Sequence, residues 1–266
     1  MSLRATVRAY PALLRTGLVA AVAYRAEFLI WMFSTNMPLV MLALWAAVGR
    51  SGPVAGYTQR GFGAYYLAVL LVRLLTGAWV VWEMTFEIKQ GTLALRLLRP
   101  IHPLIAYSAE NLAALPMRGL VAIPVMAGFL IAGRESLSHD PLHWLLFLPA
   151  MAGAWLLTFL VMALIGTLAL FVESAISVFE AWLGISSVLS GYLIPLDLFP
   201  PALREVALKL PFRFLVSYPV ELMLGRLSHR DALLLLGAQW GYVAVASVGL
   251  HFVWRSGMRR FGAYGG

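Results

Sequence analysis

The amino-acid sequence predicts an all-α membrane protein of six transmembrane helices, with an N-terminal interfacial helix and an external re-entrant helical hairpin. Of its 266 residues, 61% are hydrophobic and only 12% are charged, whereas a soluble domain carries about 25% charged residues. Apolar runs long enough to cross a bilayer, about 20 residues, recur along the chain. Short segments rich in arginine, glycine or proline separate these runs.

The six predicted spans follow from the apolar runs. The third is entered through a less apolar lead-in, residues 104–114, and the fourth continues towards Phe171. The span ends near 104–118 and 171–181 stay open, because polar residues interrupt the pattern there. The predicted spans are residues 28–48, 63–82, 115–132, 142–164, 181–196 and 231–254.

Residues 3–25 have the pattern of a helix that lies in the headgroup plane of a membrane. Apolar residues recur on one side of this helix and arginines on another, so its cations can face phosphate groups. The alternative is a cytosolic tail whose arginines only follow the positive-inside rule. We favour the interfacial helix. The apolar side carries Leu3, Val7, Leu14 and Leu18, and the basic side carries Arg4, Arg8 and Arg15.

Basic residues predict the orientation of the chain. Six spans place both termini on one side, and Lys and Arg are enriched in cytoplasmic segments. With both termini inside, the inner segments carry ten basic residues and the two short outer loops carry three. Five more lie in the outer segment 197–230, which weakens the asymmetry to ten against eight without reversing it. We predict a multi-pass protein of the plasma or inner membrane with cytoplasmic N and C termini.

The segment 197–230 alternates apolar and polar residues, and prolines interrupt it before any stretch is long enough to cross a bilayer. Two short amphipathic helices fit the pattern, at residues 201–210 and about 214–224. Irregular backbone at membrane depth is tolerated only where protein shields it or where it faces water. We therefore predict a re-entrant or interfacial hairpin that packs on the outer ends of the spans.

Several classes of site are not predicted. Neither Lys89 nor Lys209, the two lysines, follows a glycine as a phosphate-binding GK[ST] loop requires, so an ATPase that drives this protein would be a separate chain. The net charge of +8 comes from arginines between apolar runs, which indicates anionic lipid rather than nucleic acid. The chain has no cysteine and its histidines lack the spacing of metal ligands, so we predict no metal site.

Two other functions are alternatives. An intramembrane serine-protease-like enzyme would need Ser186, in the fifth predicted span, within hydrogen-bond reach of His251 in the last. Small residues in spans are far more often helix-packing contacts, so we predict no catalytic residue in this chain. A stand-alone secondary transporter is the second alternative, and the lack of an evident internal repeat argues against it.

Arg73 lies near the centre of the second predicted span, where an arginine costs at least about 2.5 kcal/mol. It must therefore face protein, water or a carboxylate. One hypothesis is that Arg73 lines a translocation path or a subunit interface. The other is a buried ion pair, with Glu110 or with a partner chain.

The polar segment 83–103 carries the clearest motif. From Glu87 to Pro103 it reads EIKQGTLALRLLRPIHP, which predicts a short amphipathic helix, a glycine break and a proline stop. This stretch resembles the signature I-[RK]-x-G-x-L…L-L-R-P-x-x-P of the membrane subunits of type-2 ABC exporters, in a subfamily of six-span permeases of about this length.

A second motif supports the same resemblance. The stretch SGYLIPLDLFP, from Ser190 to Pro200, is similar to the "SG…P…FP" segment of that family. Together the two motifs and the basic N-terminal helix extend the resemblance over essentially the whole chain. The second motif continues through Leu210, Pro211, Phe212 and Pro219.

The resemblance implies one transmembrane permease domain over residues 1–266. Within it, 1–25 would be an interfacial elbow helix, 83–103 the cytoplasmic coupling segment that docks into an ATPase, and 197–230 the external re-entrant hairpin. The implied coupling residues are Glu87, Lys89, Gly91, Arg96, Arg99 and Pro100. The implied hairpin residues are Gly191, Pro195, Phe199, Pro200, Pro211 and Phe212.

The resemblance also implies partners. Two ATPase subunits would bind ATP and Mg²⁺, and the permease itself would bind no cofactor. A second permease, identical or paralogous, would complete the translocation path within the lipid bilayer. The implied function is ATP-driven export, and the sequence does not indicate which substrate is exported.

Overall fold

The structure is a computed structural model that describes residues 3–23, 37–132 and 134–262. Within these ranges the chain forms α-helices and short 3-10 helices, and no β-strand. The α-helices are α1 (Leu3–Ala23), α2 (Met37–Val48), α3 (Gln59–Thr76), α4 (Val80–Lys89), α5 (Leu93–Leu97), α6 (Pro103–Ala113), α7 (Leu115–Ala132), α8 (Pro141–Thr167), α9 (Ala175–Leu189), α10 (Pro201–Lys209), α11 (Ser217–Met223) and α12 (His229–Met258). The 3-10 helices are Arg134–Ser136, Leu168–Leu170, Leu196–Leu198 and Pro211–Leu215.

The helices are those of an all-α membrane protein. Two apolar helices, α2 and α9, are shorter than the four segments, given at the end of this paragraph, that are long enough to cross a membrane. The 15 residues of α9 extend about 22 Å, less than the roughly 30 Å of a hydrocarbon core. The first nine residues of the first predicted span, 28–36, lie outside the described residues. Four described segments are long and apolar enough to cross a membrane: Gln59–Lys89, Pro103–Ile131, Pro141–Leu170 and His229–Met258.

The second predicted span, residues 63–82, is not one continuous helix. Helix α3 ends at Thr76, and residues 77–79 leave the helical conformation before α4 begins. The candidate span Pro103–Ile131 is also interrupted, by a turn at Ala114 between α6 and α7. Helix α7 coincides with the predicted stretch 115–132, and the lead-in before it forms α6.

The longest helices have well-defined N-termini. Asp140 caps α8 by accepting a hydrogen bond from the backbone N–H of Leu142 at 2.8 Å, and Pro141 occupies the first helical position, where no N–H is needed. Ser228 caps α12 through the N–H of Asp231 at 3.1 Å. Helix α8 lies at the centre of the bundle and packs against α3, α4, α9, α11 and α12.

The outer segment departs from its prediction in two ways. Both predicted hairpin helices are present as α10 and α11, but α11 is not amphipathic: six of its seven residues are buried, because it packs against α8 and α3. The fifth predicted stretch, 181–196, is displaced. Helix α9 begins earlier and ends at Leu189, where Gly191 adopts a φ of +83° and turns the chain.

Helix α1 occupies most of the predicted elbow and packs along α6. The hydroxyl of Tyr10 lies 3.3 Å from that of Ser108. A Cβ added at Gly17 would lie 2.7 Å from the Cβ of Ala113, so the two helix backbones approach closely there. The contact joins the N-terminal helix to α6, the first half of the candidate span Pro103–Ile131.

Candidate functional site

The motif-bearing segment 83–103 folds as a compact turn. Helix α4 ends at Lys89, and Gly91 then adopts a φ of +73°, a left-handed conformation that favours glycine. The short helix α5 follows. His102 then caps α6, its Nδ1 accepting from the N–H of Leu104 at 3.2 Å, with Pro103 at the first helical position. The predicted glycine break is thus a left-handed turn between two helices.

The side chain of Arg96 is bound by two carboxylates. Its Nε and Nη2 donate to Glu87 Oε1 at 2.9 and 2.8 Å, and its Nη1 and Nη2 donate to Glu110 at 2.7 and 2.9 Å. Tyr107 donates its hydroxyl to Glu87 at 2.6 Å, and its ring lies 4.1 Å from the guanidinium. We call Glu87, Arg96, Tyr107 and Glu110 the cytoplasmic ion cluster, after the side of the membrane predicted for this segment. It joins α4, α5 and α6.

The cluster keeps Arg96 charged. Burial by itself lowers the pKa of Arg96, but the hydrogen bonds that it donates to Glu87 and Glu110 outweigh burial and raise the pKa above its ordinary value. The Arg96 side chain is only 13% exposed. Arg96 and Glu87 therefore bind each other within the chain, and only a small part of either side chain is exposed.

Other residues of the same turn point outwards. Leu95 is 62% exposed and Leu98 is 83% exposed, and Lys89, Arg99 and Pro100 are exposed as well. Exposed leucines flanked by cations on a turn outside the spans form an apolar surface with a basic edge, which is typical of a contact with another protein or with the headgroup region of a membrane. Of the predicted coupling residues, Lys89, Arg99 and Pro100 lie on this surface, whereas Glu87 and Arg96 support it from beneath.

Two side chains of the candidate span Pro103–Ile131 stabilise the break in the second span. Arg118, 6% exposed, donates through Nη1 to the carbonyl of Gly77, and its guanidinium lies 4.8 Å from the Trp79 ring. Asn111 accepts from the N–H of Trp79 at 3.0 Å. Backbone groups that leave a helix at membrane depth need such partners. Interrupted spans are where transporters commonly place binding sites.

Arg73 lies one turn before this break. Its guanidinium is 5.1 Å from the ring centroid of Tyr192, and its Nε is buried without a hydrogen-bond partner among the described residues. The predicted ion pair with Glu110 is wrong, because Glu110 binds Arg96 instead. Arg73 and Arg118 are close enough to repel each other, so two cations lie beside the break at residues 77–79.

Three tyrosines in or just before α3 bind residues 191–197, which we call the outer turn after the side of the membrane predicted for it. Tyr65 donates to the carbonyl of Gly191 at 2.7 Å and Tyr66 donates to that of Leu193 at 2.7 Å. Tyr57 donates to Asp197 at 3.0 Å. A Cβ added at Gly191 would lie 2.6 Å from the Tyr65 hydroxyl, which explains why glycine follows Ser190 in the motif.

The remaining hairpin residues shape the backbone or fill the interior. Pro195, Pro200 and Pro211 precede or begin helical turns. Phe199 is buried with Leu196 and Ala207 in a small separate core, and Phe212 packs on the main one.

Within the hairpin, a further ion pair lies beneath the outer surface. Arg213 donates to Glu221 at 2.9 Å, and the hydroxyl of Ser217 donates to the same carboxylate at 2.5 Å. Both charged side chains are largely buried, so the pair fixes the Pro211–Leu215 turn to α11.

Ser186 and His251 are not brought together. Ser186 donates to the carbonyl of Leu183 at 3.1 Å, near the outer turn. His251 lies near the C-terminal end of α12, beside Phe252 and close to His102. No hydrogen bond joins the two within the described part of the chain, so the serine-protease alternative has no support in the geometry.

The structure adds residues that the sequence pattern missed. Tyr107, Asn111 and Arg118 lie in the lead-in or first turns of the third predicted span, together with Glu110, for which the sequence suggested a different partner. Polar residues spaced about one turn apart in that lead-in were the available signal, because a helix that carries them must present them to protein rather than lipid.

Comparison with models of protein families identifies the family of this chain. A family model described as "ABC-2 family transporter protein" matches residues 33–265, most of the chain. No curated protein and no solved structure matched. The matched region contains the cytoplasmic ion cluster, the interrupted second span and the outer turn. The chain therefore belongs to the ABC-2 family of transporter membrane proteins, as a permease subunit.

Proposed function

We propose that this permease is the transmembrane subunit of an ATP-driven exporter, which forms the translocation path and couples to separate ATPase subunits. Two ATPases bind ATP and Mg²⁺, and a second permease, identical or paralogous, completes the path. The family membership supports a permease role. The exposed surface beside the cytoplasmic ion cluster supports the coupling.

The observation that carries the proposal is that some residues of the coupling segment are paired and largely buried while others are exposed. Arg96 is held by two carboxylates, so α5 keeps one orientation relative to α4 and α6. That orientation presents Leu95 and Leu98 outwards, with Lys89 and Arg99 at the edge. A rigid, outward apolar turn can receive a push from a partner and pass it to two spans at once, since the cluster joins α4 and α6 directly.

The topology of the proposal has six spans, with both termini and the coupling segment in the cytoplasm of the cell and residues 197–230 outside. Three of the five basic residues that weaken the charge asymmetry are paired with acids of the same segment. Arg204 and Arg226 lie 2.8 and 3.8 Å from Asp197, and Arg213 binds Glu221. Because the positive-inside rule counts Lys and Arg alone, these pairs leave the asymmetry at ten against eight.

Arg73 belongs to the translocation path in this proposal. Its side chain is partly buried, its Nε has no hydrogen-bond partner among the described residues, and it lies one turn from an interrupted backbone. A structural ion pair would neutralise it within the chain. A path residue needs to meet substrate or the second permease, and the missing counter-charge fits that role.

Co-purification tests the coupling surface. The experiment isolates the permease from its native membrane and measures the ATPase that accompanies it. Leu98→Asp and Lys89→Glu are expected to reduce the recovered ATPase at least about tenfold, because they place an acid on the apolar, basic surface. Leu203→Asp is the matched control, since Leu203 is an equally apolar, exposed residue of the outer segment. Undiminished recovery with both coupling variants contradicts the proposal.

A further inference from the structure

Three potential metal ligands meet at the starts of α8 and α12, although their spacing in the sequence does not predict it. Asp140 caps α8, His143 lies in its first turn, and His229 is the first residue of α12. One ligand atom from each lies within 4.8 Å of the other two. We infer that Asp140, His143 and His229 form a binding site for a divalent transition-metal ion, with Zn²⁺ the best-fitting occupant.

His143 is oriented as a metal-binding histidine is. It is 5% exposed, and its Nε2 lies 3.0 Å from the carbonyl oxygen of Leu227. A carbonyl can only accept, so Nε2 carries the proton and Nδ1 carries the lone pair. A second-shell carbonyl that fixes the tautomer in this way is the usual partner of a ligating imidazole. The Nδ1 atom now accepts from the Ser138 hydroxyl at 2.8 Å, a weak donor that a metal ion can displace.

Asp140 divides its carboxylate between two tasks. Its Oδ1 accepts from the N–H of Leu142, which fixes the side chain. Its Oδ2 contacts Nε2 of His229. The His229 side chain is 61% exposed, so the ring can rotate, and it lies edge-on to the His143 ring at 5.8 Å. One anchored oxygen and one mobile imidazole can therefore close on an ion.

The backbone around the three ligands is already fixed. The N–H of Ser138 donates to the carbonyl of Met223 at 2.9 Å, and Trp144 donates to the carbonyl of Ser138 at 2.9 Å. Gly225, with a φ of +66°, packs its Cα against Ser138. The two loops thus meet without the ion, and only side chains need to move.

The size of that movement is small. Tetrahedral Zn²⁺ with bonds of about 2.0–2.2 Å holds its ligand atoms roughly 3.4 Å apart. Closure from at most 4.8 Å is within the reach of rotation at the exposed His229. Two imidazoles and one carboxylate suit Zn²⁺ better than Ca²⁺ or Mg²⁺, which prefer oxygen, and water would fill the fourth position. The ion would join the ends of α8 and α12 that face the outside in the proposed topology.

Zinc binding to the purified permease tests the inference. The full chain is isolated without a histidine tag, reconstituted in nanodiscs, stripped with a chelator and titrated with Zn²⁺ alone. Co²⁺ is a second probe, because its visible spectrum reports nitrogen and oxygen ligands directly. The variants are His229→Ala and Asp140→Asn; asparagine keeps the helix cap but loses the anionic ligand. His139→Ala is the matched control, an exposed histidine next to the site and outside it.

The wild type and His139→Ala are expected to bind about one Zn²⁺ per chain and to unfold at a higher temperature when it is bound. His229→Ala and Asp140→Asn are expected to bind at least about tenfold more weakly, with no thermal gain. The inference is overturned if the wild type takes up no more zinc than empty nanodiscs do. It is also overturned if both variants bind zinc as the wild type does.

Discussion

The carboxylate of Glu110 accepts hydrogen bonds at 2.7 and 2.9 Å from the two terminal nitrogens of Arg96. The contact joins the motif-bearing turn to α6, the first helix of the candidate span Pro103–Ile131. Glu87 holds the other edge of the same guanidinium, so the turn is tied to both flanking spans. A partner that moves this turn is therefore expected to move α4 and α6 with it.

Loss of Arg96 is expected to disorganise the turn. Arg96→Ala leaves two carboxylates facing each other with little solvent, and removing one partner of a buried pair costs about 3–5 kcal/mol. We expect faster proteolysis of residues 87–110 in the detergent-solubilised protein and loss of transport, with insertion retained. Lys89→Ala, which removes an exposed cation outside the cluster, is the control and should leave proteolysis unchanged. Wild-type proteolysis and full transport by Glu87→Ala/Arg96→Ala contradict the role of the cluster.

Gly191→Ala is expected to destabilise the outer turn. The φ of +83° costs a residue with a Cβ roughly 1–2 kcal/mol, and that Cβ would also displace the Tyr65 hydroxyl. Thermal unfolding in detergent measures the loss. Gly184→Ala is the matched control, because Gly184 is helical and an added Cβ meets nothing within 4 Å. We expect Gly184→Ala to be neutral or slightly stabilising, and equal effects of the two variants contradict the assignment.

Leucine variants of Arg118, which is buried, and of Arg73, which is partly buried, are expected to have different phenotypes. Arg118→Leu removes the donor to the Gly77 carbonyl, and an unsatisfied buried acceptor costs about 1–3 kcal/mol, so this variant should lower thermal stability. Arg73→Leu removes no ion pair with a described residue, so it should insert and fold at the wild-type level but change transport rate or substrate preference. Wild-type transport by Arg73→Leu in reconstituted vesicles contradicts a path role for Arg73.

Single-cysteine labelling tests the proposed topology, and the cysteine-free chain gives no background. Lys209→Cys should react with a membrane-impermeant maleimide added to intact cells, whereas Lys89→Cys should react only after the membrane is opened. Both positions are accessible, Lys89 by its exposure and Lys209 at the end of α10. Labelling of Lys209→Cys from the cytoplasmic side alone contradicts the orientation.

Much of the fold follows from the sequence because bilayer thickness and hydropathy constrain helices strongly. The fourth, third and last apolar stretches correspond to α8, α7 and α12 within a few residues. The glycine and proline signals in 83–103 also predict the turn correctly, since a left-handed Gly91 and a proline at the start of α6 are local requirements.

The pairing of charges could not be predicted, because it depends on which spans touch. Arg73 and Glu110 look like partners in the sequence, yet Arg96 is closer to Glu110 once α5 folds back beneath α4. The break after Thr76 is likewise hidden, because Arg118 and Asn111, from another span, supply its missing hydrogen bonds. The buried position of α11 has the same origin. Its short sequence with polar flanks is typical of a surface helix, and it is buried because α8 packs against it.

Cross-linking from Leu98 tests the central claim most directly. A Leu98→Cys permease, assembled with its ATPase in native membranes, should form a covalent product with that ATPase when treated with a short bifunctional thiol–amine reagent, and ATP should change the yield. Leu203→Cys is the control and should give no such product. Cross-linking from Leu203→Cys but not from Leu98→Cys, or a Leu98→Cys product that never contains an ATPase, would contradict the account.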